Sequence, residues 1–247
     1  MKKILQTSFA LAKAGFKLKN EGNYLGLLWY VIDPLMLFMI FVLVRGVLGK
    51  GIEYYPIYLF LGLIIFNFFR KATGSAINSM SSNSGLITNM QIRQETFILS
   101  SYFQSAFAHI FEVLIVVVLL IVFKLPLWYL LFYVFIFFVF SLFVLGISFI
   151  ISTIAVYVKD LLNIWGTFTR FLWFATPIFY SARLELPFDF NKYNPMYHFI
   201  KMSRDVIIYH QMPEYWMMIA SVTISVLMFF IGFFIFNKAK PYFAEKL

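Results

Sequence analysis

Residues 127–157 read LWYLLFYVFIFFVFSLFVLGISFIISTIAVY, 31 positions without a single Asp, Glu, Lys, Arg or His. As a helix this stretch would run about 46 Å, against a hydrocarbon core of about 30 Å. Such a segment belongs in lipid, and its extra length implies tilt or projection beyond the bilayer. Five more segments qualify as spans on either side of it: residues 30–48, 55–69, 102–123, 161–180 and 215–236. The second is short at its apolar core. The expected fold class is an all-α polytopic membrane protein with six transmembrane helices in one transmembrane domain, residues 1–247.

Composition agrees. Hydrophobic residues make up 62% of the chain, charged residues 13%, and mean hydropathy is +0.85. A water-soluble domain carries about 25% charged residues, so there is too little polar material here to cover a globule. The net charge of +9 does not indicate nucleic acid, because the cations sit between apolar segments and do not gather on one element. With no cysteine, disulfides, thiolate metal sites and cysteine nucleophiles are excluded.

An even number of spans puts both termini on one side, and the positive-inside rule selects the cytoplasm. In that orientation twelve Lys and Arg lie inside and seven outside, with Arg170 within a span. Residues 1–19, within an expected amphipathic interface helix over 1–28, do not read as a signal peptide: Gln6, Thr7 and Ser8 interrupt the apolar run and no A-x-A-like site follows. Their lysines alternate with Ile4, Leu5, Phe9, Leu11, Phe16 and Leu18, which suits a helix in the headgroup plane or one docked on another subunit. The outer loop before the last span holds Asn194-Pro195 and then an amphipathic run to His210, too short to cross. An interfacial or re-entrant helix is expected there.

Catalytic patterns are missing. There is no G-x-x-x-x-G-K-[ST], G-x-G-x-x-G, H-E-x-x-H or G-x-S-x-G. The three histidines lack metal-ligand spacing, and the eleven acids are scattered. No catalytic residue and no metal site are assigned, although a membrane enzyme of glycolipid synthesis remains the alternative of a different class.

Ionisable groups in lipid usually face protein or a wet path. Asp33 precedes Pro34 at the start of the first span, where it reads as a helix cap. His109 and Glu112, three apart, share a face and can pair with each other or with Arg170. Arg170, near the middle of the fifth span, is either half of an intramembrane pair or a polar lining of a permeation path. The aromatics also divide. Trp29, Tyr30 and Tyr180 sit at span ends, as interfacial anchors do. In the fifth span Trp165, Phe168, Trp173, Phe174 and Phe179 continue through the interior. They either pack or face lipid, or they offer flat faces on which the C–H faces of sugars can slide.

Three motifs carry a family resemblance. Tyr24-Leu25-Gly26-Leu27-Leu28-Trp29 followed by Asp33-Pro34-Leu35 resembles the opening of ABC-2-type transporter permeases. Val158-Lys159-Asp160 with Thr176-Pro177-Ile178-Phe179-Tyr180 resembles their R-D…T-P-I-x-Y signature, with Lys159 where arginine is common. Asn194-Pro195-Met196 followed by Arg204 resembles their outer N-P…R segment. Order and spacing agree over essentially the whole chain. Length and motifs are most similar to polysaccharide exporters, the permeases for O-antigen (Wzm-type), capsule and teichoic acid.

That resemblance implies a type V exporter-like architecture in the bacterial inner membrane: a homodimer bound to two copies of a separate ABC ATPase. The chain itself would hold no cofactor, ATP and Mg being bound by the ATPase. An undecaprenyl-linked polysaccharide would be the cargo, membrane lipids the surroundings, and nucleic acid no partner. A drug, a lipid or a small glycolipid is the alternative cargo. The resemblance further implies a coupling helix at about residues 84–97, with Gln91, Ile92, Arg93, Gln94 and Glu95 docking on the ATPase. It places outer gate helices at about 194–210, with Asn194, Pro195 and Arg204. The channel would run between the first and fifth spans, lined by Trp29, Tyr30, Trp165, Phe168, Trp173, Phe174, Phe179 and Tyr180.

Overall fold

The computed structural model describes residues 2–21, 24–43, 51–89, 92–180 and 190–245. These form nine α-helices and no strand among the described residues. They are α1 (Lys2–Asn20), α2 (Trp29–Leu43), α3 (Tyr55–Ser81), α4 (Ser84–Asn89), α5 (Glu95–Val122), α6 (Leu130–Tyr157), α7 (Leu161–Ala175), α8 (Pro195–Ile207) and α9 (Tyr215–Ala239). Short 3-10 turns lead into α2 and α6, precede α8 and follow α9.

Among the described residues, five helical runs are long and apolar enough to span a bilayer: Gly26–Leu43, Tyr55–Ser81, Glu95–Val122, Leu127–Tyr157 and Tyr215–Phe243. The remaining expected span differs. Its helix, α7, has 15 residues, a rise of about 22 Å, and ends at Ala175 rather than at 180. Pro177 explains the early stop, because a residue before proline is pushed out of the α region; Thr176 is extended at φ −100°, ψ 131°. The run expected at 55–69 instead continues to Ser81, leaving a shorter connection to the next span. Positions 44–48 of the first expected span lie outside the described residues.

The core is built round α3. From Ile57 to Phe69 every residue in it is buried, whereas in α2 only Pro34 is. Helices α2, α5, α6, α7 and α8 all pack on α3, and α9 closes on α6. Lipid tails are as apolar as leucine, so close packing and polar contacts must hold these helices together, not expulsion of water. The α6–α9 crossing shows the first device: Gly146 faces Gly232, and a Cβ on either would overlap the other helix's backbone.

Helix α1 lies against α5. Phe9 meets Phe103 and Phe107 edge-on at 5.9 and 5.5 Å, and Phe16 stacks on Tyr30 at 5.2 Å. Its lysines are exposed on the opposite side, with Lys17 paired to Glu21 at 3.3 Å. The amphipathic segment therefore docks on its own chain. One face of the molecule carries α1, α4 and the carboxyl-terminal turn Lys240–Glu245; the other carries α8 and the amino-terminal ends of α3 and α9.

Candidate functional site: the α2–α7 face and its two ends

At the α8 face two of the motif segments converge, Thr176–Tyr180 and Asn194–Arg204. Beyond α7 the chain runs non-helically through Pro177, Ile178, Phe179 and Tyr180, leaving carbonyls with no helical partner. Such groups must be satisfied by protein where no water reaches them. Arg204, 3% exposed on α8, donates Nη1 to the Pro177 carbonyl at 2.8 Å and Nη2 to Ile178 at 2.7 Å. Its Nε donates to the Tyr58 carbonyl at 3.0 Å, and the guanidinium lies 3.4 Å over the Tyr58 ring. Tyr55 and Tyr58 hydroxyls donate to the Phe179 and Tyr180 carbonyls at 2.9 and 3.1 Å. All four carbonyls are thus matched to side chains of α3 and α8.

Gly62 makes room for this arrangement, since a Cβ there would stand 2.6 Å from Arg204 Nη2. Asn194 accepts from the Met196 N–H at 3.0 Å, capping α8, and donates Nδ2 to Thr176 Oγ1 at 2.8 Å. Pro195 takes the first helical position, where its missing N–H costs nothing. Burial pulls the Arg204 pKa down, but a guanidinium keeps its proton. On the rim, Lys201 bridges Asp205 at 3.4 Å and Glu214 at 2.9 Å. Hydrogen bonds from Lys201 and Trp216 hold Glu214 below the ordinary glutamate value, while burial raises Asp205.

Between the faces lies a chain of polar side chains. Lys71 of α3 approaches Asp33 of α2 at 3.8 Å and Glu112 of α5 at 3.2 Å. Glu112 Oε2 meets His109 Nδ1 at 2.9 Å, and His109 Nε2 meets the Tyr133 hydroxyl of α6 at 2.8 Å. The pairing of His109 with Glu112 is as the spacing suggested. Two readings are corrected. Asp33 is no cap, because α2 begins four residues earlier at Trp29; it pairs with Lys71 across helices. Arg170 does not join the pair: its Nε donates to the Gly166 carbonyl at 3.3 Å, and it lines a small cavity with Arg70 and Asn67.

The aromatics of α7 separate into two rows. Trp165 donates to Thr73 Oγ1 at 2.9 Å and packs on Phe69, and Trp173 lies against Phe41 and Phe179 at 5.7 and 5.1 Å. Phe179 stacks on Phe41 at 5.0 Å, and the Tyr180 hydroxyl donates to the Phe174 carbonyl at 3.1 Å. Ile164, Phe168, Phe171 and Phe174 stand exposed at helical spacing, an apolar stripe in which Phe168 touches Trp165 and Phe174 touches Trp173. Trp29 is exposed near the start of α2, but Tyr30 is spent on Phe16 and Phe111.

At the α1 face the expected single helix over 84–97 is two pieces. Helix α4 ends at Asn89, Ile92 and Arg93 are non-helical, and Glu95 opens α5. Gln91 lies outside the described residues. Glu95, buried, accepts from Lys240 at 2.6 Å, with Arg93 3.9 Å away. Lys240 is fixed in turn by Asn237 at 2.7 Å, and the turn that follows it is anchored by buried Phe243, which packs on Phe236. Ile92, Arg93, Gln94, Glu95, Lys240 and Pro241 border an open groove of about 350 Å³.

A family model described as ABC-2 type transporter matches residues 7–208, which include every motif above. The chain belongs to the ABC-2 type transporter family. This ABC-2 transporter chain is 23% identical to the O-antigen export system permease protein RfbA of Myxococcus xanthus, over 96% of its own length and 94% of the relative's. It is 25% identical to the O-antigen export system permease protein RfbA of Klebsiella pneumoniae, over 94% and 91%. The similarity therefore runs nearly end to end and includes α9, beyond the family match.

The sequence carries no functional signal at Lys71, Tyr133, Tyr58 or Asn67, and Tyr55 reads in it only as an interfacial anchor. Tyr55 and Tyr58, three apart at a span end, resemble ordinary interfacial anchors, and nothing local separates them from such anchors. Lys71 lies beyond the span expected at 55–69, whereas α3 continues through it.

Proposed function

We propose that this chain is the membrane permease subunit of an ATP-driven exporter that moves a lipid-linked polysaccharide across the bacterial inner membrane. The α1 face would lie in the cytoplasm, where the positive-inside rule places both termini. The observation that carries the reading is the α7 stripe. Phe168, Phe171 and Phe174 present exposed ring surface, with Phe168 resting on Trp165 and Phe174 on Trp173, on a face shared with the sparsely packed α2. An unsatisfied aromatic face of this kind is incomplete in one copy. Two copies set face to face would enclose a path walled by ring faces. The flat rings can contact the C–H faces of successive sugars with no deep well at any one position. The printed names of the relatives point to the same cargo class.

Energy would come from two ATPase subunits docked at the groove bordered by Ile92, Arg93, Gln94, Glu95 and Lys240, with Mg and ATP held there and not by this chain. The Lys240–Glu95 contact ties the end of α9 to the start of α5, so a push on the groove reaches two spans at once. The α8 lock would form the outer gate.

The test is genetic. Deleting the chain in its own host should abolish surface polysaccharide and leave lipid-linked polymer inside the cell, with restoration by the wild-type chain. Normal surface polysaccharide in the deletion strain overturns the cargo assignment.

A further inference from the structure

A cavity of about 210 Å³ opens between α2, α3 and α7, walled by Leu37, Asn67, Arg70, Arg170, Trp173 and Phe174. It holds two guanidinium groups, and neither has a carboxylate within ion-pair distance among the described residues. Arg70 spends one donor on Asn67 Oδ1 at 3.3 Å, and Arg170 spends Nε on its own helix. A guanidinium offers five N–H donors, so most of this capacity is unused. Asn67 is 2% exposed, and its Nδ2 is buried with no hydrogen-bond partner. A buried amide donor without an acceptor is unfavourable and signals a missing group. The nearest acids are engaged elsewhere, since Lys71 takes both Asp33 and Glu112.

The depth of the cavity restricts what can fill it. Arg70 lies fifteen residues along α3 from Tyr55, about 22 Å below the α8 face. Arg170 lies nine residues from the start of α7, about 14 Å above the α1 face. The cationic seat is therefore in the half of the membrane nearer the α1 face. Its rim is hydrocarbon-like, with Phe174 64% exposed. The volume is below the ~300–1,000 Å³ of pockets for drug-sized ligands, so a headgroup fits and a saccharide chain does not.

We propose that Arg70, Arg170 and Asn67 form a seat for the diphosphate group of the lipid that carries the exported glycan, resting on the reading that the cargo is lipid-linked. Two planar forks can each take a phosphate in bidentate fashion, and the Asn67 amide supplies a further donor. A diphosphate has oxygen atoms and charge for both forks. A phospholipid phosphodiester, with one charge, satisfies only one. The isoprenoid chain would then lie in the membrane beside Phe174 while the glycan extends toward the aromatic stripe.

Binding of farnesyl diphosphate to the purified permease–ATPase complex in phosphatidylcholine nanodiscs tests this. Farnesyl diphosphate should bind, and farnesol should bind at least ten times more weakly. Arg70→Gln and Arg170→Gln should each weaken the diphosphate by roughly tenfold or more, the scale of a lost charge-assisted contact. Arg170 is exposed, so its variants keep the fold; Arg170→Lys, which retains charge but loses the fork, should weaken binding less. Lys124→Gln, on the other face, should change nothing. Equal binding of farnesol, unaltered affinity in both glutamine variants, or equal competition by phosphatidylglycerol overturns the seat. Absent diphosphate binding in a chain still required for export defeats the seat alone. Diphosphate binding in a chain dispensable for surface polysaccharide defeats the cargo assignment alone.

Discussion

The Arg204 guanidinium lies 3.4 Å over the Tyr58 ring while its Nε donates to the carbonyl of the same residue at 3.0 Å. One side chain thus binds α3 by ring and backbone together, and with its other two nitrogens holds the non-helical chain after α7. Elements 146 residues apart in sequence become one unit at the α8 end of the bundle.

Removing Arg204 should therefore be costly. Arg204→Gln leaves the Pro177 and Ile178 carbonyls unmatched, at about 1–3 kcal/mol for each unsatisfied group. Arg204→Lys keeps the charge but cannot span three carbonyls, and should fall between. Gly62→Ala, which crowds Nη2, should produce a milder version of the same loss. Thermal unfolding of the purified chain in detergent orders them wild type, Gly62→Ala, Arg204→Lys, Arg204→Gln.

Lys71 and Glu112 should show coupling. Lys71→Ala leaves the buried Glu112 carboxylate with His109 as its sole side-chain partner and should destabilise more than Glu112→Gln. The double variant should be better than the sum of the two by about 0.5–3 kcal/mol in a thermodynamic cycle. Additive losses would show that Lys71 and Glu112 do not share a network.

Rows of α7 should respond differently. Trp165→Ala removes a hydrogen bond and a ring contact with α3, so both stability and transport should fall. Phe168→Ala and Phe174→Ala remove exposed rings, so unfolding temperature should hold within about 0.5 kcal/mol equivalent while glycan export drops. Paired melting and surface-polysaccharide measurements on the three variants distinguish packing from path.

The rim at the α8 face carries a pH dependence. Glu214 is held below its usual value, so its contribution is present at neutral pH and is lost as pH falls through that lowered value. Asp205 is raised by burial, so its charge is unfavourable at neutral pH and protonation relieves it. Glu214→Gln should reduce the acid sensitivity of unfolding, and Asp205→Asn should leave neutral stability equal or higher. Melting curves between pH 3 and 7 check both.

Much of this fold was legible because lipid imposes a severe rule on sequence. A charge-free run such as 127–157 has only one place to be, and the helices there and at Tyr215 start where their apolar runs start. The short α7 was not legible as a half-span, because Phe179 and Tyr180 continue its hydropathy past Pro177 and hydropathy carries no backbone geometry. The Thr176, Asn194 and Arg204 motifs were visible separately. Their meeting point was not, since it depends on how α3 presents Tyr55, Tyr58 and Gly62. Asp33 misled as a cap because Trp29 to Ile32 are apolar enough to read as interface, when they already form the first turn of α2.

The central claim is tested most directly by transport in a defined membrane. The purified chain and its ATPase, reconstituted in proteoliposomes with the host's lipid-linked polysaccharide, should move glycan across the bilayer only when ATP is hydrolysed, and Phe174→Ala should slow that movement with assembly intact. Glycan that stays on its original side during sustained ATP hydrolysis by an intact complex would contradict the claim.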